Sequence, residues 1–153
     1  MIKRISRLCL LSLLFLCSFA GYLQAEDDIA AQRRCSHCGM DRKAYGYSRM
    51  VVQYSDGTNS GVCSLHCAVT EMKTHQEKKV ASLLVADRNS HELVPAEKAF
   101  WTIGGSKRGV MTPEAKWAFA SKDSAEKFVV TYGGAVVSWE AALAAAGKDA
   151  ERQ

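Results

Sequence analysis

Two apolar stripes of helical spacing, set sixty positions apart, constrain this chain more than any other feature. Leu65, Ala68, Val69 and Met72 fall at i, i+3, i+4 and i+7, and Ala125, Phe128, Val129 and Tyr132 repeat them position for position. That period puts each set on one buried face of an amphipathic helix. The flanks repeat as well. Tyr45 to Tyr54 is β-prone, and the turn signal Ser55-Asp56-Gly57-Thr58 joins it to Ser60–Cys63 as a hairpin. Val80 to Ala86 then reads as a strand. In the second half, Lys98 to Ile103 and Lys116 to Ala120 precede a helix capped by Ser121. Gly133-Gly134 ends that helix, a short strand follows at Ala135–Val137, and an Ala-rich helix closes the chain from Trp139 to Ala146. The expected fold is α+β: two similar small strand-strand-helix-strand units packed together, mostly antiparallel sheet. Neither unit is large enough to bury a core alone, so each needs the other. The first unit is expected over 35–90 and the second over 91–153. Trp101, Trp117 and Trp139 all fall in the second, as its core.

The ends of the chain bound its setting. Lys3, Arg4 and Arg7 precede an apolar run from Leu8 to Ala20, and Leu23-Gln24-Ala25 offers a cleavage site. Residues 1–25 therefore read as a signal peptide, and 26–34 as a loose polar leader. The run is short for a membrane span, although an uncleaved N-terminus would allow membrane association. Phe15 and Leu16, not small residues, precede Cys17, so that cysteine does not read as a lipid-anchor site. Without 1–25 the formal net charge falls from +4 to +1, which removes the argument for a nucleic-acid partner.

Four cysteines then remain, as two local pairs: Cys35 with Cys38, and Cys63 with Cys67. An even count in an exported chain is ordinarily a disulfide framework. Here, however, each pair has chelating spacing. The stretch Cys35-Ser36-His37-Cys38-Gly39-Met40 gathers two thiols, an imidazole and a thioether around a glycine that permits a tight turn. Thiolate and thioether are the soft donors that select Cu(I), and thiolates alone hold zinc. Gly39 stands where a c-type haem site needs histidine. Cys63 and Cys67 lie roughly 160° and 200° from Leu65 on the helical wheel, off the buried stripe and on the same side as each other. At a helix start the macrodipole also favours thiolate. Met111, in the loop Gly109-Val110-Met111-Thr112-Pro113, is a candidate donor from the second unit. His66 and His37 are candidates to complete the site. His75 and His91 have no ligand company and read as surface residues, and Met50 and Met72 as core.

The six-residue stretch at 35–40 resembles the motif that opens the mature part of NosL proteins, accessory proteins of nitrous oxide reductase. Asp56-Gly57, Val110-Met111-Thr112 and Trp117-Ala118-Phe119-Ala120-Ser121 with the helix after it are also similar, so the resemblance covers most of Arg34 to Trp139. It implies a copper-binding protein outside the cytoplasm that supplies copper to the reductase, built from two similar units. It also implies soft sulfur ligation of Cu(I) by the cysteine and methionine of the 35–40 element and by Met111. There are two departures. Family members are commonly lipid-anchored, and Cys63/Cys67 is more thiol than the motif requires.

The resulting expectation is a periplasmic Cu(I) chaperone, not an enzyme. Its partners would be a copper-dependent client enzyme and that enzyme's assembly machinery. The metal ligands would come from Cys35, Cys38, Met40, Met111, Cys63, Cys67 and His66, with Zn as the alternative ion. Competing readings of the same thiols are a thiol-disulfide oxidoreductase and a structural zinc-binding module.

Overall fold

The computed structural model describes residues 27–152. The expected signal segment, with Cys9 and Cys17, lies outside them. Among the described residues, no helix is long and apolar enough to cross a membrane.

A short helix, α1 (Asp27–Ala31), leads into the first unit: β1 (Met50–Tyr54), β2 (Asn59–Val62), α2 (Leu65–Thr74) and β3 (Val80–Ala86). β4 (Leu93–Pro95) adds an edge strand. The second unit runs β5 (Phe100–Ile103), β6 (Lys116–Phe119), α3 (Lys122–Tyr132) and β7 (Ala135–Val137), and α4 (Trp139–Ala150) follows. The sheets are ordered β2-β1-β3-β4 and β6-β5-β7, with every pairing antiparallel. In each unit the first strand is central, flanked by its hairpin partner and by the strand that returns from the helix. The two-unit α+β architecture expected from the stripes is the one observed.

Local chemistry accounts for the element ends. Asp56 Oδ1 accepts from the Thr58 amide and hydroxyl, and Gly57 takes a φ of +84°, so the β1–β2 hairpin turns where expected. The Ser64 hydroxyl accepts from the Cys67 amide at the start of α2, and Ser121 does the same for Ser124 at the start of α3. Leu65, Ala68 and Val69 are buried, with Met72 packed at the edge of the same core.

The halves meet through aromatic and polar contacts. Tyr47 lies 5.7 Å from Trp117, and the Arg88 guanidinium sits over both Trp117 and Phe128. Asp87 accepts from the Ala120 amide, and α4 packs on α2. Trp101 and Trp117 are core, as expected, whereas Trp139 is half-buried and rests on Trp101 with ring centroids 5.4 Å apart.

Three expectations need revision. The segment from Tyr45 to Ser48 is turn, and strand pairing begins only at Met50. The cause is Arg49, which is buried and draws in the carbonyls of Gly46 and His91. β4 was not expected, because its proline marks a strand only at an edge, where no ladder donor is needed. The polar leader is held firmly. The Asp28 carboxylate receives Arg42 at 2.7 Å and Arg49 at 3.0 Å, and Arg42 is fully buried.

Candidate metal centre

The loop 35–40 is a closed turn. The Cys35 amide donates to Met40 O and the Gly39 amide donates to Cys35 O, both at 2.9 Å, and Gly39 supplies the required positive φ of 75°. Arg34 and Asp41 bridge at its base, and Arg33 pairs with Asp41 at 2.7 Å. The loop is then fastened onto β2: the Ser36 amide and hydroxyl both donate to Gly61 O at 2.9 Å. Arg42 completes the attachment, donating to the carbonyls of Asp28, Gln32, Met50 and Val62. These bonds bring 35–40 over the start of α2.

That placement unites the two thiol pairs. Cys63 ends the hairpin, its carbonyl held by the Ser48 hydroxyl at 2.8 Å, and Cys67 lies in the first turn of α2. The Sγ atoms of Cys35, Cys38, Cys63 and Cys67 all lie within 4.8 Å of one another. Cys38 to Cys63 is 3.5 Å, Cys63 to Cys67 is 3.6 Å and Cys67 to Cys38 is 3.8 Å. All four are free thiols. Cys35, Cys63 and Cys67 are buried, and Cys38 alone keeps partial exposure. The helical wheel put Cys63 and Cys67 off the core stripe. They are nonetheless fully buried, because the 35–40 loop covers that second face.

The cluster is electrostatically uneven. Hydrogen bonds from Cys63 and then Cys67 hold the Cys35 thiol far below the ordinary thiol range, and the same bonds push Cys63 and Cys67 up. One thiolate is thus stabilised within a set of thiols. The charge of buried Arg42 also favours it.

Met40 and Met111, far apart in sequence, line one cleft of about 780 Å³ together with Tyr45, Tyr47 and Val110. Met111 sits at a φ of 60°, sparsely populated for a residue with a side chain. Its loop is pinned by the buried pair Lys116–Asp149 at 2.6 Å and by the Thr112 hydroxyl on Asp149 at 2.5 Å. His66 is buried with its ring centroid 6.2 Å from that of His37, and the four-thiol set closes without either. His75 engages Glu71 and Glu77, and His91 is exposed. The anchors Asp28, Arg42, Arg49 and Gly61 escaped the reading of the sequence. The one available signal was a pair of arginines bracketing the Tyr45–Tyr47 turn.

The NosL family model matches residues 26–145. The chain belongs to the NosL family. Among solved structures, the copper chaperone NosL from Shewanella denitrificans is similar at a TM-score of 0.56 and 21% identity, over 71% of this chain and 88% of that one. The apo-NosL protein from Achromobacter cycloclastes aligns at a TM-score of 0.41 and 20% identity, over 60% and 82% of the respective chains. No curated protein matches the chain. The first of these likenesses fits the two-sheet α+β fold. The four convergent thiols form a set that can hold a soft or borderline metal ion.

Proposed function

We propose that this NosL-family protein is an exported, periplasmic Cu(I) chaperone that passes copper to a client copper enzyme, with nitrous oxide reductase the client the family implies. One observation carries the reading: four thiols gather in one cluster whose single partly exposed member is Cys38, while the adjoining loop residue Met40 lines a cleft together with Met111. Copper is the cargo here, and the protein is not an enzyme. The thiols would bind Cu(I) tightly, and the thioethers, neutral and weaker, would give it an intermediate stop on the way out. Each step is a ligand exchange, with one sulfur arriving before another leaves. The αL backbone of Met111 fits this role, since a strained residue persists where surrounding contacts impose it and such residues cluster at ligand sites.

A thiol-disulfide oxidoreductase is less well supported. Its attacking cysteine is favoured by access to solvent and a helix start together, whereas partly exposed Cys38 and buried Cys35 lie in a loop, and the helix-start cysteines Cys63 and Cys67 are fully buried.

The test is competition of the anaerobic, reduced protein against a Cu(I) chelator, joined to X-ray absorption at the copper edge. Cys38→Ser and Cys63→Ser should each weaken Cu(I) binding by more than about tenfold, which is 1.4 kcal/mol. Met111→Leu conserves volume and should cost little stability, yet it should remove sulfur scattering from copper caught in the cleft. If the protein binds Cu(I) no better than its cysteine variants do, the chaperone reading fails. If only Met111→Leu is silent, Met111 is packing.

A further inference from the structure

Four thiols are more than a copper-delivery site needs, and their arrangement has a geometry of its own. Zn–S bonds of about 2.3 Å in a regular tetrahedron give S···S edges of roughly 3.8 Å. The three edges among Cys38, Cys63 and Cys67 are 3.5, 3.6 and 3.8 Å, and Cys35 completes the set within 4.8 Å. Closed tetrahedral sets of four thiolates are the signature of structural zinc, whereas catalytic zinc keeps an open position. The donors are also built in. Three are buried, the loop carrying Cys35 and Cys38 is bonded to Gly61 O, and the helix carrying Cys67 is capped by Ser64. Free thiols this close would oxidise to disulfides in an oxidising compartment unless a metal held them.

We propose that the cluster holds Zn2+ as its resting occupant and that Cu(I) loads by displacing it. The proposal rests on the chaperone reading and names what fills the site before copper arrives. In loading zinc, the four thiols give up four protons, and the product is a tetrathiolate of charge 2−. In the exchange, Cu(I) takes thiolates from zinc, Zn2+ leaves, and any thiolate that copper does not use is reprotonated; no electron moves. The softer ion wins because thiolate prefers Cu(I), and the exchange starts at Cys38, the one cysteine of the four that is partly exposed. Resting zinc would clip the 35–40 loop to α2, so the copper site would stay assembled and reduced while empty of cargo.

The experiment uses the protein purified as expressed, anaerobically and with its thiols counted as reduced. Metal analysis should find one zinc per chain. Co2+ put in its place should give the intense visible bands and thiolate charge transfer of a tetrahedral four-sulfur site. Cu(I) added stepwise from a chelator complex should release zinc, read with a zinc-sensitive dye, in proportion to copper bound. Cys63→Ser should lower zinc affinity by more than the roughly hundredfold that loss of a supporting contact costs. Met40→Leu with Met111→Leu should leave zinc affinity within about twofold, since thioethers suit Cu(I) and not zinc. Because the Co2+ spectrum is taken on the unaltered chain, a variant that fails to fold does not decide the matter. Reduced protein that binds Cu(I) but neither zinc nor Co2+ at the thiols overturns the proposal and leaves the chaperone reading standing. Cu(I) that binds without releasing zinc also overturns it, by showing two separate sites. Zinc retained with no Cu(I) bound anywhere on the chain overturns both the exchange and the chaperone reading.

Discussion

Substituting Gly61 by alanine should damage the metal site from a distance, and the size of the effect can be worked out. A Cβ built on Gly61 would lie 2.5 Å from Arg42 Cζ and 2.8 Å from Gln32 Oε1, well inside contact distance. A flexible surface side chain would simply move away. Arg42 cannot, because it is fully buried and committed to Asp28 Oδ2 and to the carbonyls of Asp28, Gln32, Met50 and Val62. Overpacking alone costs about 1–3 kcal/mol. Parting a buried ion pair from one side costs about 3–5 kcal/mol, and Asp28 also retains Arg49, which limits that loss. We therefore expect a destabilisation of about 3 kcal/mol, or roughly 10 °C in melting temperature for a domain this size. The same glycine carries the carbonyl that receives both Ser36 bonds. Displacing it should loosen Cys35 and Cys38 from Cys63 and Cys67, so Cu(I) and zinc affinities should fall with the stability. Thermal or urea unfolding checks the first effect, and chelator competition the second. A melting temperature within about 2 °C of the parent would refute the argument. So would a large loss of stability with metal affinity unchanged, because Arg42 would then support the fold without positioning the thiols.

The C-terminal helix offers a control and a pH effect. Gly147 in α4 has open space at its Cβ position, so Gly147→Ala should stabilise by about 0.8 kcal/mol through helix propensity, read in the same unfolding experiment. Burial alone would raise the Asp149 carboxyl, but the bonds from Lys116 and Thr112, with the charges of Lys116 and Arg152, outweigh it and hold it below the usual carboxylate range. A depressed folded-state pKa gives stability that is complete above the unfolded value, near 4, and is lost as pH falls through that value towards the folded one. Asp149→Asn should remove this acid dependence and, by leaving Lys116 buried without its counter-charge, cost about 3 kcal/mol at neutral pH. Parallel acid-unfolding curves for parent and variant would contradict the assignment.

What the sequence made legible was local. Ser64 and Ser121 cap helices because a hydroxyl there meets amides three residues ahead, and the stripes after them bury because the helical period puts them on one face. The Asp56-Gly57 turn is equally self-contained. The site is not. Cys38 and Cys63 are 25 positions apart, and nothing in either pair's spacing requires that they meet. What joins them is Arg42 and Arg49 buried on Asp28, and charged residues in a polar leader read as solvated until the carbonyls that enclose them are known. Exposure was misread at the thiols for the same reason. The wheel showed which face of α2 turns from the sheet core, but not that a loop from the leader lies across it.

The repeat explains why the thiols stand in the first unit and not the second. Sixty positions after Cys63 and Cys67 come Asp123 and Lys127, on the corresponding face of α3. There the two side chains are exposed and form an ion pair at 2.7 Å, the ordinary content of a solvated helix face. Charges are stable on that face because water reaches it. On α2 the loop 35–40 excludes water, and charge there would need a partner in a nearly dry space. Thiols resolve the conflict. As neutral groups they pack like small hydrophobes, and as thiolates they bind a cation that neutralises them where they lie. The covering loop brings the other two sulfurs, so the element that makes the face dry also completes the four-thiol cluster. The second unit, freed of that demand, instead places Met111, on a loop braced by Lys116 and Asp149, in the cleft that Met40 also lines.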